Sequence, residues 1–188
     1  MEGVKRTFIA IKIEPGKYLL DALNMCREEL AGEKIRWVHP DNIHITLKFL
    51  GDTPVEKIPG IIEVVGQVAG KHGAFPLTFK GLGVFRDLKH PRVFWAGIDS
   101  GPAISRIKQD IDQGLNPYGF EPENRDFRPH LTLGRIKYIR NTAMLEGLLR
   151  QYREKEFQVF QASELTYYES ILRPSGPEYI VLSRLPLD

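Results

Sequence analysis

A tetrapeptide of one kind occurs twice, as His44-Ile45-Thr46-Leu47 in the first half of the chain and His130-Leu131-Thr132-Leu133 in the second. In a β-strand, residues i and i+2 project from the same face, roughly 6.7 Å apart. Each copy therefore reads as a strand with an imidazole and a hydroxyl on one side and two apolar side chains on the other. A single His-x-Thr triplet is weak evidence, since Thr is a natural strand residue and His a tolerated one. Two copies about half the chain apart, each apolar at its second and fourth positions, ask for two strands of the same two-faced design. The apolar sides need a core, and the polar sides need water or a shared cleft.

The rest of the chain supplies elements around these strands. Thr7 to Ile13 reads as a first strand. Pro15 opens a helix with Leu19, Leu20, Leu23, Cys26 and Leu30 on one stripe, ended by Gly32. Ile35 to Val38 is a short strand, and Ile43 to Leu50 carries the first motif. Pro54 opens a second helix, loosened by Pro59-Gly60. Phe75 to Phe85 and Arg92 to Ile98 read as a hairpin, with Gly81 and Gly83 marking a bulge or a close backbone approach. Pro102 to Leu115 is a helix, Leu131 to Ile136 carries the second motif, and Asn141 caps a further helix. Glu156 to Tyr168 is strand-rich, and Glu178 to Leu185 is the last strand. The second half thus repeats the order of the first. This implies an α+β fold in a single domain over residues 1–188, with two similar lobes on antiparallel sheets and one motif in each. The alternation of strand and helix also fits a parallel α/β sheet; the hairpin favours the antiparallel form.

Composition narrows the setting. With 188 residues, 42% hydrophobic and 27% charged, the chain is an ordinary globular domain with a sizeable core. A net charge of +2 excludes a histone-like polycation but leaves room for a local basic pocket. The one cysteine, Cys26, allows no intrachain disulfide. The longest apolar stretch, Val93 to Ile98, is far below the ~20 residues of a membrane span, and the start of the chain lacks a signal-peptide core. A cytoplasmic protein without membrane contact is expected.

Two imidazoles facing one cleft suit acid–base work. One, neutral, takes a proton from a nucleophile; the other, protonated, gives one to a leaving group, and the ordinary pKa of ~6.5 permits both states near neutrality. Two hydroxyls beside them can donate to non-bridging phosphate oxygens. No metal is needed, and no HExxH, EF-hand loop, Cys pair, Walker loop or Gly-x-Ser-x-Gly elbow is present. The remaining histidines have plainer readings: His39 and His90 in turns and His72 in a polar loop. Trp37, Tyr167 and Tyr168 read as packing or rim residues.

Paired motifs of this form resemble the signature of the two-histidine (2H) phosphoesterases. The stretches Phe8-Ile9-Ala10-Ile11, Asn42 to Gly51, Pro91 to Gly97 and Phe127 to Arg135 are similar to the RNA 2′,3′-cyclic phosphodiesterase branch, also called the 2′-5′ RNA ligase family. The resemblance implies a bilobal body with a groove between two sheets and helices outside. It implies His44 as proton donor, His130 as proton acceptor, and Thr46 and Thr132 as phosphate-holding residues. It also implies Phe49 as a contact to base or sugar and Arg135 as a phosphate ligand; Arg128, two before His130, is a further candidate for the groove. In a regular strand Phe49 lies opposite His44 and reads as core, so a bulge is needed to bring it round. Arg135 has the same parity relative to His130 and reads otherwise as a solvated strand-end charge; Gly134 offers a bend.

The expected activity is metal- and cofactor-independent opening of RNA 2′,3′-cyclic phosphate ends to 2′-phosphates by a monomer, with weak reverse 2′-5′ ligation. One alternative is a phosphodiesterase acting on small cyclic nucleotides or nucleotide-derived phosphodiesters. Another is a non-catalytic RNA-end binding module, though such a module is expected to have lost a His or Thr. A metal-dependent hydrolase is the poorest fit.

Overall fold

The computed structural model describes residues 3–123, 126–174 and 176–188. Its strands are β1 (Val4–Lys12), β2 (Lys34–Trp37), β3 (His44–Pro54), β4 (Phe75–Phe85), β5 (Val93–Asp99), β6 (His130–Tyr138), β7 (Glu156–Ala162), β8 (Glu164–Arg173) and β9 (Gly176–Pro186). The α-helices are α1 (Lys17–Glu29), α2 (Ile58–Ala69), α3 (Ala103–Leu115) and α4 (Thr142–Gln151). The strands form two antiparallel sheets, ordered β3-β1-β8-β9 and β2-β6-β5-β4-β7. The parallel alternative does not arise, and β4 and β5 form the expected hairpin. No helix among the described residues is long and apolar enough to cross a membrane.

Each sheet carries one motif, β3 in the first and β6 in the second, but the sheets are not the two halves of the chain. β2, from the first half, sits at the edge of the second sheet, while β8 and β9, from the end of the chain, complete the first. The strand-rich stretch from Glu156 to Tyr168 is accordingly two strands, broken at Ser163 and sent to different sheets. The second helix also differs from the reading above. Pro54 ends β3, a 3-10 turn covers Val55–Lys57, and α2 starts at Ile58. Pro59 lies in the first turn, where its missing N–H leaves no bond unmade, so it opens the helix rather than loosening it.

One apolar core joins the sheets. Ile9, Ile11, Ile45 and Leu47 of the first belong to the same buried cluster as Leu77, Phe79, Phe94, Leu131 and Leu133 of the second. The helices cover it with stripes at helical spacing: Leu19, Leu23 and Cys26 from α1, Ile61, Val65 and Val68 from α2, Ile104, Ile107 and Ile111 from α3, and Leu145 and Leu148 from α4. Asn141 caps α4 as expected, its side chain accepting from the Met144 N–H at 3.0 Å. Gly81 takes a positive φ at a break in the β4–β5 register. At Gly83 a Cβ would stand 2.2 Å from the Trp95 ring, so that strand pair closes only over a glycine.

Both motif strands are bulged, and at equivalent positions. Along β1 the partner of Ile9 is Lys48 and that of Ala10 is Thr46, which leaves Leu47 as an extra residue. Along β5 the partner of Phe94 is Gly134 and that of Trp95 is Thr132, which leaves Leu133 extra. One extra residue reverses the facing of the residues beyond it until the next irregularity, which on β3 is a second extra residue at Leu50. On β3 this sends Lys48 inward after Leu47, and its side chain is only 2% exposed. The buried ammonium donates to Asp112 Oδ1 of α3 at 2.6 Å and to the Glu121 carbonyl at 2.8 Å, and Lys108 also bonds Asp112.

Removing Asp112 strands two buried ammonium groups, whereas removing the Lys48 charge leaves Asp112 paired with Lys108. Breaking a buried pair by deleting one partner costs about 3–5 kcal/mol. Asp112→Ala is expected to lose stability in that range by urea denaturation and Lys48→Met to lose distinctly less; equal losses would count against this network.

Candidate active site

The bulges decide what faces the space between the sheets. His44 and Thr46 point there by simple alternation, and beyond Leu47 the reversed parity adds Phe49, which is 46% exposed. Thr132 follows the same logic on β6, and beyond Leu133 the reversal adds Arg135. The core reading of Phe49 and the strand-end reading of Arg135 are both set aside by this placement. The bend at the second motif comes from Leu133 rather than Gly134. The glycine serves another end, because a Cβ on it would come within 2.9 Å of Ile35 and 3.1 Å of Trp37 on β2.

These side chains line one cavity of about 800 Å³. His130 stands beside it, its ring edge-on to Phe85 at 4.6 Å, and its charge is near enough to act on His44. Arg128 is exposed and, like His130, is not among the residues that line the cavity; its carbonyl holds His130 Nδ1.

The two imidazoles are held alike. His44 Nδ1 lies 2.7 Å from the carbonyl of Asn42, and His130 Nδ1 lies 2.8 Å from the carbonyl of Arg128. A carbonyl can only accept, so both Nδ1 atoms carry the proton and both Nε2 atoms are left for exchange. Phe8 lies 5.0 Å from the His44 ring and Tyr179 meets it edge-on at 5.2 Å. This crowding keeps water from a charged ring and pulls the His44 pKa down to about 4. The Asn42 carbonyl opposes that shift, while the positive charges of Lys12, Arg135 and His130 add to it. Desolvation lowers the His130 pKa too, against its own carbonyl bond and with help from Arg135. Both shifts favour the neutral form of the pair, and an anion between them would favour proton uptake.

Several lining residues lie outside the two tetrapeptide motifs. Arg6 of β1 places its guanidinium 4.7 Å over the Phe49 ring. Arg36 of β2, Arg173 of β8, His39, Phe8 and Tyr179 also line the cavity. Only alternation along strands already known to pair could have found Arg6 and Arg36. His72 is taken by Asp110 at 2.7 Å, and His90 stays in its turn beside Asp87. Tyr167 is buried and donates to Thr7, Tyr168 stacks on Phe8 at 5.1 Å, and Trp37 packs on Phe94. Among the described residues no group of three His, Cys, Asp or Glu is placed to hold a metal ion.

The sequence profile of the LigT-like phosphoesterases matches residues 11–95 and 98–179. A protein of Methanothermobacter thermautotrophicus named RNA 2′,3′-cyclic phosphodiesterase is 34% identical over 176 residues, 93% of this chain and 94% of that protein. A protein of the same name from Aquifex aeolicus is 36% identical over 155 residues, 81% of each chain. Among solved structures, a Thermus thermophilus protein superposes with a TM-score of 0.78 at 23% identity, covering 97% of both chains.

Two outcomes follow from this geometry. Each histidine has a folded pKa below its unfolded value, so the unfolded chain binds the proton first as the pH falls. The stability tied to neutral histidines is whole above about pH 6.5 and declines toward pH 4. The melting temperature should fall between pH 7 and 5, and His44→Asn should flatten that slope; an unchanged slope would show that His44 is not held neutral. The exposed ring of Phe49 predicts that Phe49→Ala weakens nucleotide binding by ~1–3 kcal/mol in a titration with little change in melting temperature.

Proposed function

Because this chain belongs to the LigT-like phosphoesterase family, we propose that it opens 2′,3′-cyclic phosphate ends of RNA, the reaction that names its relatives. Thr46 and Thr132 donate to the non-bridging oxygens of a phosphate held between the motifs. His130 Nε2 takes a proton from water as the water oxygen bonds to phosphorus. The bond from phosphorus to the 3′ oxygen breaks, and His44 Nε2 delivers a proton to that oxygen. The product ends in a 2′-phosphate and a 3′-hydroxyl.

The observation that carries this reading is the matched pair of carbonyl-anchored imidazoles, each with Nε2 left for proton exchange, His44 lining the cavity and His130 two residues before Thr132, which also lines it. His44 takes its proton from solvent as the substrate binds, since the anionic cyclic phosphate favours an imidazolium that the empty site disfavours. A 5′-hydroxyl RNA end in place of water undergoes the same displacement, its oxygen bonding to phosphorus as the bond to the 3′ oxygen breaks, and makes a 2′-5′ linkage as a weak side reaction. We place this chemistry in a cytoplasmic monomer that uses no metal or cofactor.

The test is incubation of a short RNA bearing a 2′,3′-cyclic phosphate with the protein, followed by identification of the end group. A 2′-phosphate is expected, with turnover undiminished by excess EDTA; strict rescue by zinc, manganese or magnesium would place the protein in another reaction class. His44→Ala and His130→Ala should each lower kcat by ~10²–10⁴. The double variant should be little worse than either, because both groups serve one displacement. With a 3′ leaving group that needs no proton, His44→Ala should recover far more activity than His130→Ala, and the opposite pattern reverses the two roles.

A further inference from the structure

The two motif imidazoles are held alike, but the residues that hold them are not. The carbonyl of Asn42 accepts from His44 Nδ1 at 2.7 Å, and the Asn42 amide Nδ2 donates to the carbonyl of Pro177 at 3.0 Å, 135 residues along the chain. Arg128 accepts from His130 Nδ1 at 2.8 Å with its side chain left in solvent. Asn42 is the firm end of its link. It closes the 3-10 turn Pro40–Asn42, its N–H donates to the His39 carbonyl at 2.8 Å, and the Ile43 N–H donates to that of Pro40 at 3.1 Å. What the amide fixes is therefore the element that carries Pro177.

That element is the end of the β8–β9 hairpin, one wall of the cavity, which Leu172, Arg173, Pro177, Glu178 and Tyr179 all line. The main core gives this wall no support. Leu172 is exposed, Tyr179 packs only on the small separate cluster of Phe8, Ala10 and Tyr168, and the Arg173–Glu178 ion pair at 2.9 Å ties the hairpin to itself. Among the described residues the Asn42 amide makes the only side-chain hydrogen bond from this end of the hairpin to the turn before the first motif. Two residues past Pro177, Tyr179 meets the His44 ring edge-on at 5.2 Å, with Phe8 at 5.0 Å. Where the wall sits thus decides how tightly that ring is gripped and how much water reaches it.

Resting on the proposed cyclic phosphodiesterase reading, we propose that Asn42 is a positioning residue for the acid step: its carbonyl sets the tautomer of His44, and its amide seats the β8–β9 wall against the same ring. Asn42 touches no substrate in this role and acts through His44 alone. The charged and titratable groups around that ring are Lys12 of β1, Asp41 of the turn, His130 and Arg135 of β6, Tyr168 of β8, and Tyr179 and Arg184 of β9. Lys12, Asp41, His130 and Arg135 stand on other elements, Tyr168 is stacked on Phe8, and Arg184 is tied to Glu164 at 3.0 Å. Releasing the wall therefore reaches His44 through Tyr179 and the water it excludes.

The experiment uses two variants that leave the Asn42 carbonyl in place. Asn42→Leu keeps the size of the side chain without a donor; Asn42→Ser keeps a turn-forming residue that falls short of Pro177, and it decides the matter if the leucine variant does not fold. An NMR titration reads the histidine pKa values. That of His44 should rise from its depressed value toward the ordinary ~6.5, while that of His130 stays as in the parent. On a short RNA with a 2′,3′-cyclic phosphate, kcat should fall roughly ten- to a hundredfold, the scale of a misplaced reacting group. With a 3′ leaving group that needs no proton, most of that loss should vanish, because the acid no longer contributes. A folded variant that keeps the parent's His44 pKa and kcat would overturn the proposal. So would an equal loss with both leaving groups, or an equal shift of both histidines, which marks a general loosening. No turnover by the parent would overturn the cyclic phosphodiesterase reading and the catalytic role with it, while the titration would still decide whether Asn42 seats the wall on His44.

Discussion

The extra residues at Leu47 and Leu133 determine which side chains meet between the sheets. In an uninterrupted pleat Lys48 would face the groove and Phe49 the core, while Gly134 would face the groove and the guanidinium of Arg135 would enter the apolar interior. An unpaired charge there is far more costly than a bulge, so burial itself enforces the irregularity on β6. The main-chain cost is also met, since the carbonyl of Leu133 accepts from the Val38 N–H at 2.9 Å. On β3 the same device drives Lys48 inward, and Asp112 on α3 makes that tolerable. The groove face, the helix behind it and the partner strand are thus tied to these single-residue insertions.

Alternation and turn chemistry made most elements legible, including both motif strands, the β4–β5 hairpin and the Asn141 cap. What stayed hidden depends on long-range pairing. No residue near Ser163 announces that the chain leaves one sheet for the other, because a strand of either sheet has the same local pattern. Pro54 resembled a helix start since proline serves equally well at the end of a strand, and the helix waits until Ile58. The parity of Phe49 and Arg135 was visible as a conflict between position and role, which the bulges resolve. Arg128 was the reverse case: its proximity to His130 was real, but the contact runs through its carbonyl. Arg36 carried no signal, because its place opposite Arg135 exists only once β2 joins a sheet whose other strands come from far along the chain.

Net charge is a poor guide to such a site. The chain as a whole carries +2, yet Arg6, Arg36 and Arg135 line one cavity without a carboxylate partner among the described residues. The neutral histidines belong to the same design: crowding by Phe8, Tyr179 and Phe85 holds off protons that the empty cavity would repel anyway. On the proposed reading the site is set for a negative guest, whose charge favours the imidazolium that the acid step needs.

The interleaving of the two sheets has a bearing on how the protein is made. β1 finds its second neighbour only in β8, with Thr7 opposite Glu169 and its hydroxyl meeting that of Tyr167. A ribosome releasing the chain from its N-terminus delivers His44 early, and His130 with most of the second sheet later, but the strands that close the first sheet come last. Until they emerge, the sheet bearing the first histidine lacks half its strands and the aromatic wall that β9 contributes through Tyr179. Such distant pairings make folding slow and concerted. A nascent fragment therefore holds both motifs without an assembled groove, and RNA ends near the translating ribosome meet a working site only after the final hairpin has docked.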